Sequence, residues 1–523
     1  MYHCTAQGDI IKKKIKGTTA LKENRLKILK KCAIALLAAV VTAVCLIPFF
    51  GSAGKSGKIQ LVVDLHGYTP SVSRIPTAED PDVFNSTYYI AEAFMKENPD
   101  VEIVWARTKP VGGMDSEVAQ WFTTQIAGGT VPAVAFSWGT RYQDRDWYLP
   151  LDEYLDDEWE YGGGYETWRD VFRDYIWSSN SIVNARGEIV AIPVTVYPGA
   201  STGYFYNKTA FQTAGVESVP VTWKQFIEAT EKLEAAGYVG VAPWMYFDTT
   251  TTFDAWVFQS VVSPSYAGAL MDVIDYDDNG IMSSAEQARA CLEGVFSTEH
   301  EYTKDMYRTL KYYYTNMLKK GWASIDYNAP WLNGEVGIRE EGLWAIPSEN
   351  SNVVRAFDYG VFVAPPVSTD SSSYVNEVEY SDGPYQPGPD LSLNIMKAAV
   401  EDDPEMLDAA VRFLKFLTKP ENVSLICIEN AGVLGAVKGT GHSNLIDEFI
   451  SQKFPIKPDA AWPAGFTDEY GDRLNRTFER WVNGEIADEK FYAQVDEIQK
   501  KGAQSFVKNM GLDTSGWNIG GAK

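Results

Sequence analysis

Blocks of apolar residues alternate with amphipathic ones in a strand, helix, strand rhythm from residue 58 to about 200. Ile59-Gln60-Leu61-Val62-Val63 is a short, mostly apolar run and predicts a buried strand. A Pro/Ser loop follows, then a helical pattern over Tyr89–Glu97 and a second strand over Val101–Trp105. The rhythm continues with a helix at Ser116–Ala127 and strands at Val131–Phe136 and Val190–Val194, the last after an acidic, Trp-rich insertion at 152–177. Such alternation predicts α/β architecture with mostly parallel sheets flanked by helices. The Ser/Tyr/Pro/Gly-rich stretch 368–390 reads as a surface loop between lobes.

A different pattern opens the chain. Residues 1–31 carry nine Lys/Arg against two acids, and Cys32 to Phe50 then run 19 residues without a charge. That length crosses a hydrocarbon core of roughly 30 Å. The basic flank stays on the cytoplasmic side, so residue 51 onward lies outside the membrane. Residues 1–31 are therefore a cytoplasmic leader, 32–50 a transmembrane or signal helix, and 51–57 (GSAGKSG) a flexible linker. The leader is either retained as an anchor or removed as a signal.

Size and charge narrow the rest. The chain's 523 residues exceed one comfortable hydrophobic core, so the soluble part divides into at least two lobes. Removing the leader from 46 basic and 70 acidic residues leaves 37 and 68, a net charge of −31. A surface of that sign repels nucleic acid and anionic headgroups. Of five cysteines only Cys291 and Cys427 lie in the folded part, which leaves no disulfide framework and no zinc spacing.

Thr202 to Leu233 (TGYFYNKTAFQTAGVESVPVTWKQFIEATEKL) resembles the signature of family 1 extracellular solute-binding proteins, the maltose-type receptors of bacterial ABC importers. Tyr206-Asn207-Lys208 ends a strand, Ala214-Gly215 closes a short helix, and Thr222 caps the next one at Trp223. Other pieces of the pattern follow in order: AFMKENPDVEI near Phe94, Gly128-Gly129-Thr130-Val131-Pro132, LDEYL at 151–155, Asn333-Gly334-Glu335, FVAPP at 362–366 and FLKFLTKP at 413–420. Ala133 departs from it, since the family usually has Asp there. The resemblance implies a two-lobed, periplasmic-binding-protein-like fold with an interlobe cleft that closes on its ligand. On that reading lobe 1 comprises 58–195 and 368–430, and lobe 2 comprises 196–367 and 431–523. It further implies a monomeric carbohydrate receptor, partnered by ABC permease subunits, whose ectodomain is extracellular or periplasmic.

Sugars offer apolar CH faces and polar edges, so their sites need aromatic platforms beside hydrogen-bonding groups. Ligands bind beyond the carboxyl ends of strands in open α/β sheets. His66 and Tyr68 follow the first strand on that rule, and Trp138, Thr140 and Arg141 follow Val131–Phe136. Tyr197 follows Val194, Asp248 and Phe253 lie in the Thr-rich loop after Val239–Trp244, and Trp462 sits on a late Pro-rich loop. Trp344, in EEGLWAI, is similar to the Gly-x-Trp segment whose indole stacks on ligand in relatives. Each of these side chains has packing as its competing role, and stacking platforms also suit aromatic bases or peptides.

Asp275 to Glu286 (DYDDNGIMSSAE) matches the calcium loop D-x-[DN]-x-[DN]-G-x5-E at every specified position. Asp275, Asp277, Asn279, the Ile281 carbonyl, Ser283 and Glu286 would supply oxygens to a structural Ca²⁺, with helices at Tyr266–Ile274 and Ala285–Val295. The competing reading is an acidic turn in which Ser283 and Glu286 form a capping box.

No catalytic motif emerges. The four histidines are scattered, and H-E-x-x-H, G-x-S-x-G and a Walker loop are all missing from the sequence. The functions to be told apart are thus a transport receptor, a surface carbohydrate-active enzyme whose paired carboxylates only space would reveal, and a receptor feeding a sensor kinase.

Overall fold

The structure, a computed structural model, describes residues 57–73, 75, 83–110, 115–199, 202–243 and 256–519. The leader and its apolar stretch 32–50 lie outside the described residues. Within them no helix is long and apolar enough to cross a membrane. Contacts divide the chain after Lys58, and every element below belongs to the unit Ile59–Lys523.

Leu61 and Val63 are fully buried, which seats the strand Ile59–Asp64 in the interior of a five-stranded sheet. Its order is Val101–Trp105, Ile59–Asp64, Val134–Phe136, Ser392–Ile395, Ile192–Pro193. The first three strands are parallel, with Ile59 opposite Val101 and Val63 opposite Val134. Ser392–Ile395 runs against both its neighbours. The helix Ser86–Glu97 covers this sheet with Thr87, Ile90, Ala91 and Phe94, the spacing of one helical face. Phe94 meets Phe413 edge-on at 5.3 Å, from the helix Pro404–Leu417. Full burial of such a ring stabilises by about 1.5–3 kcal/mol.

A second sheet has the order Val239–Ala242, Val336–Gly342, Thr202–Asn207, Tyr359–Val363. Only its first pair is parallel. A separate core lies against it, built from the helices Trp223–Ala235, Glu301–Tyr312, Asp468–Val482 and Asp488–Met510. There Trp481 stacks on Phe491 at 3.9 Å with the rings 3° from parallel.

Three passes of the chain join the sheets, and they pair with one another. Thr195–Tyr197 lies between Gly388–Pro389 and Leu434–Gly435 in a small antiparallel sheet. The cores follow these passes. Val433 and Val437 pack in the first core, whereas Val367 and Val375 pack in the second.

Several predicted elements change on folding. Both sheets are mixed where mostly parallel ones are predicted; in the first, Ser392–Ile395 re-enters antiparallel to its neighbours after the chain has built the second. The strand predicted at Val131–Phe136 contracts to Val134–Phe136, and the one at Val190–Val194 to Ile192–Pro193. Pro132 and Pro193 have no N–H for a ladder. The stretch 368–390 is more than a loop, since Glu379–Asp382 pairs with Lys453–Ile456 and Ser368 and Ser372 are buried. In the insertion 152–177 the acids of 156–158 are exposed, but Trp159 and Trp168 are core residues. Gly215, at φ 68, closes the helix Lys208–Ala214, and Thr222 Oγ1 accepts from the Gln225 amide at the start of the next.

Candidate ligand-binding site

A cavity of about 2080 Å³ is lined from both sheets. Pockets for small molecules span roughly 300–1,000 Å³, so this one admits a ligand of several rings.

On the first sheet's side the backbone makes an unusual turn. Trp138 has φ 55 and Gly139 has φ 66. A Cβ on Gly139 would lie 1.7 Å from the Ser181 carbonyl oxygen, so only glycine fits. These two left-handed residues follow the buried strand Val134–Phe136 and leave the Trp138 indole 38% exposed at the cavity. Beside it the His66 ring stacks on Phe136 at 5.0 Å and meets Trp138 edge-on at 5.4 Å. Below lies the buried Lys109–Asp64 ion pair, and Asp64 Oδ1 accepts from the His66 amide at 2.9 Å. Burial, and then the Lys109 cation, press the imidazole down to about 4, so His66 is neutral at pH 7. Its Nδ1 is buried and unpartnered among the described residues.

Where the passes meet, Tyr68 donates to Asp390 Oδ2 at 2.5 Å and Thr195 donates to the same oxygen at 2.7 Å. Tyr197 also bonds Asp390. Burial pushes the Asp390 carboxyl up and both phenols well above their ordinary value, so the tyrosines act only as neutral donors. Asp390 escapes a reading of the sequence, because its partners stand 322 and 195 residues away.

Trp344 faces in from the second sheet. It sits in the turn Leu343–Ala345 just after the strand Val336–Gly342 and is 40% exposed. A Cβ on Gly342 would lie 2.2 Å from its ring, which explains the glycine. Trp256 braces the indole edge-on at 5.2 Å, and Tyr197 lies 6.4 Å away. Arg339 also lines the cavity, held to Glu341 at 2.6 Å. Burial raises the Glu341 carboxyl.

His66, Tyr68, Trp138, Arg141, Tyr197 and Trp344 thus line one cavity. Two candidates do not. Thr140 is buried and donates to the Asn180 carbonyl at 2.7 Å. Trp462 is 2% exposed and packs on Phe296 at 4.4 Å in the second core, which withdraws it as a platform. Asp248 and Phe253 lie outside the described residues.

In the loop 275–286, carboxylate oxygens of Asp275, Asp277 and Glu286 lie within 4.8 Å of one another. Asp275 accepts from the amides of Asn279 and Gly280, at 3.1 and 2.7 Å, and Asn279 Oδ1 accepts from Ile281 at 2.8 Å. Gly280 turns at φ 82. The capping box is present too: Ser283 Oγ accepts from the Glu286 amide, and Glu286 Oε2 accepts from the Ser283 amide. Since the Ser283 hydroxyl also donates to Glu286 at 2.8 Å, the donors best placed for a cation are Asp275, Asp277 and Glu286, with Asn279 beside them. Asn279, Gly280 and Ile281 line the cavity.

Two sheets joined by three paired passes, with aromatic platforms facing one cavity, define a ligand-binding receptor. Residues 78–424, about two thirds of the chain, match the family model for bacterial extracellular solute-binding proteins, and the chain belongs to that family. Similar folds occur in a chitin oligosaccharide binding protein (TM-score 0.56, 16% identity, covering 86% of this chain and 99% of that one). Maltose-bound MalE3 of T. maritima is also similar (0.55, 16%, 85% and 99%), as is the GacH receptor of Streptomyces glaucescens, studied with acarbose (0.53, 16%, 86% and 99%). No curated protein sequence matches the chain.

Proposed function

We propose that this protein captures a carbohydrate in the cavity between its two sheets and delivers it to the permease subunits of an ABC importer. The carrying observation is the pair of part-exposed indoles, Trp138 and Trp344, presented to one cavity from different sheets. Buried polar atoms unpartnered among the described residues ring the same space: His66 Nδ1, Tyr175 Oη, Thr202 Oγ1 and Ser392 Oγ. Such atoms are costly to leave unsatisfied, which marks the cavity wall as polar beneath its aromatic surface. Structural neighbours whose names carry chitin oligosaccharide, maltose and acarbose fit the same reading. The two sheets act as lobes, and the three paired passes act as the hinge. The folded part works outside the cytoplasm, either held by residues 32–50 or released after cleavage, and as a monomer.

Melting the purified protein with a panel of mono- and oligosaccharides tests this. A receptor is stabilised and leaves the glycan intact. Shortened glycan would instead reveal a hydrolase, and a melting point that no sugar moves would end the proposal.

The loop 275–286 is a candidate structural calcium site in the same reading. Its convergent carboxylates favour it, and calcium abundant outside the cell would stabilise the fold by mass action. We expect EGTA to lower the melting temperature and calcium to restore it; an unchanged midpoint leaves the capping box as the loop's whole purpose.

A further inference from the structure

Lys457 follows the strand Lys453–Ile456 and lines the cavity. An ammonium group has three protons to donate. Here one goes to the Ser260 carbonyl at 2.9 Å, and no carboxylate pairs with Lys457 among the described residues. Two other cations described above are treated differently. Lys109 is held to Asp64 and Arg339 to Glu341, so both cations arrive already neutralised. In a chain with 70 acids and 46 bases, a half-buried lysine without a carboxylate is out of keeping with the composition. Desolvation with no compensating acid lowers its pKa to about 8.

The acids that share the cavity are otherwise engaged. Asp390 takes three hydroxyl donors, and Glu429 takes the amides of Asn85 and Ser86. Glu341 is bound to Arg339 and Glu349 to Arg355, and the Asp459 carboxyl takes the amide of Asn180. Two N–H bonds of Lys457 are thus left without a carboxylate partner among the described residues.

Building on the carbohydrate reading above, we propose that the ligand carries an anionic group, a ring carboxylate or a sulfate ester, and that Lys457 Nζ pairs with it. A charge-assisted bond of this kind is stronger than one to a neutral hydroxyl. It makes Lys457 a selector between acidic and neutral glycans of similar shape. The indoles would still supply the stacking surface common to both.

The test uses the full-length purified protein and three sets of probes: neutral trimers (malto-, cello-, xylo- and chitotriose), uronate trimers with and without methyl esterification, and sulfated tetrasaccharides. The best-bound probe should be anionic, and methyl esterification or desulfation should weaken it by about tenfold or more. Lys457→Met should erase that preference while leaving the melting temperature of the free protein near its original value, and Lys457→Arg should keep the preference. The carboxylate and sulfate arms tell the two anion sources apart. A neutral trimer as best ligand, bound equally well by Lys457→Met, overturns this inference and leaves the carbohydrate receptor standing. Stabilisation by no glycan at all overturns both.

Discussion

Trp138 reaches the cavity because its own backbone is left-handed and Gly139 continues the turn against Ser181. Trp344 reaches it because Gly342 makes room beneath the ring. Replacing either indole by alanine removes one stacking face, which at about 1.4 kcal/mol lowers ligand affinity tenfold by titration calorimetry. Trp462→Phe should leave affinity unchanged, since that ring lies in the core. These contrasts mark what the sequence can disclose. Trp138 is legible as a residue that follows a predicted strand and Trp344 only through the resemblance of EEGLWAI to the Gly-x-Trp segment, whereas the burial of Trp462 depends on Phe296, 166 positions earlier. His66 supports a pH prediction. Its folded pKa lies below the unfolded 6.5, so the unfolded chain binds the extra proton first. His66 therefore contributes stability that is whole above about pH 6.5 and is lost as pH falls toward about 4. In His66→Asn, the drop in melting temperature between pH 7 and pH 4.5 should shrink.

At the scale of elements, the helix Ser86–Glu97 is instructive. Its apolar spacing predicts a start at Tyr89, yet it begins three residues earlier. Glu429 explains the difference: its carboxylate accepts from the amides of Asn85 and Ser86 at 2.7 and 2.9 Å and from the Ser86 hydroxyl at 2.6 Å. The negative charge also suits a helix N-terminus. Glu429→Ala should cost about 1–2 kcal/mol, read as a fall in the urea midpoint with an unchanged slope. A cap delivered from 343 residues away has no local signature. By contrast, Thr222 caps its own helix from three residues away and is visible in the sequence. The same division separates the legible strand Val101–Trp105 from the pairing of Glu379–Asp382, whose partner strand lies some seventy residues later.

The whole molecule is tied across its two cores away from the paired passes. Arg145 meets Asp468 at 2.5 Å, Asn509 donates to Asp144 at 3.1 Å, and Asn180 donates to the Met282 carbonyl at 2.6 Å. If this clasped arrangement is the form that grips ligand, loosening it reduces the competent fraction and so the apparent affinity. A part-exposed ion pair contributes about 0.2–1 kcal/mol, so Asp468→Asn should weaken binding by up to about fivefold without touching the cavity wall. Alternation of elements made the α/β class legible from the sequence. The mixed strand directions were not, since they follow from the order in which the chain visits its two sheets.

Each of the two large cores contains one cysteine, Cys291 in the second and Cys427 in the first, and burial pushes both thiols up to about 12. Neither can be alkylated until its surroundings breathe open. Peptide-resolved labelling in mild denaturant would therefore time the opening of each half separately, with two probes that nature has already installed. Matching rates would mean that the halves unravel together, and unequal rates would show which one gives way first.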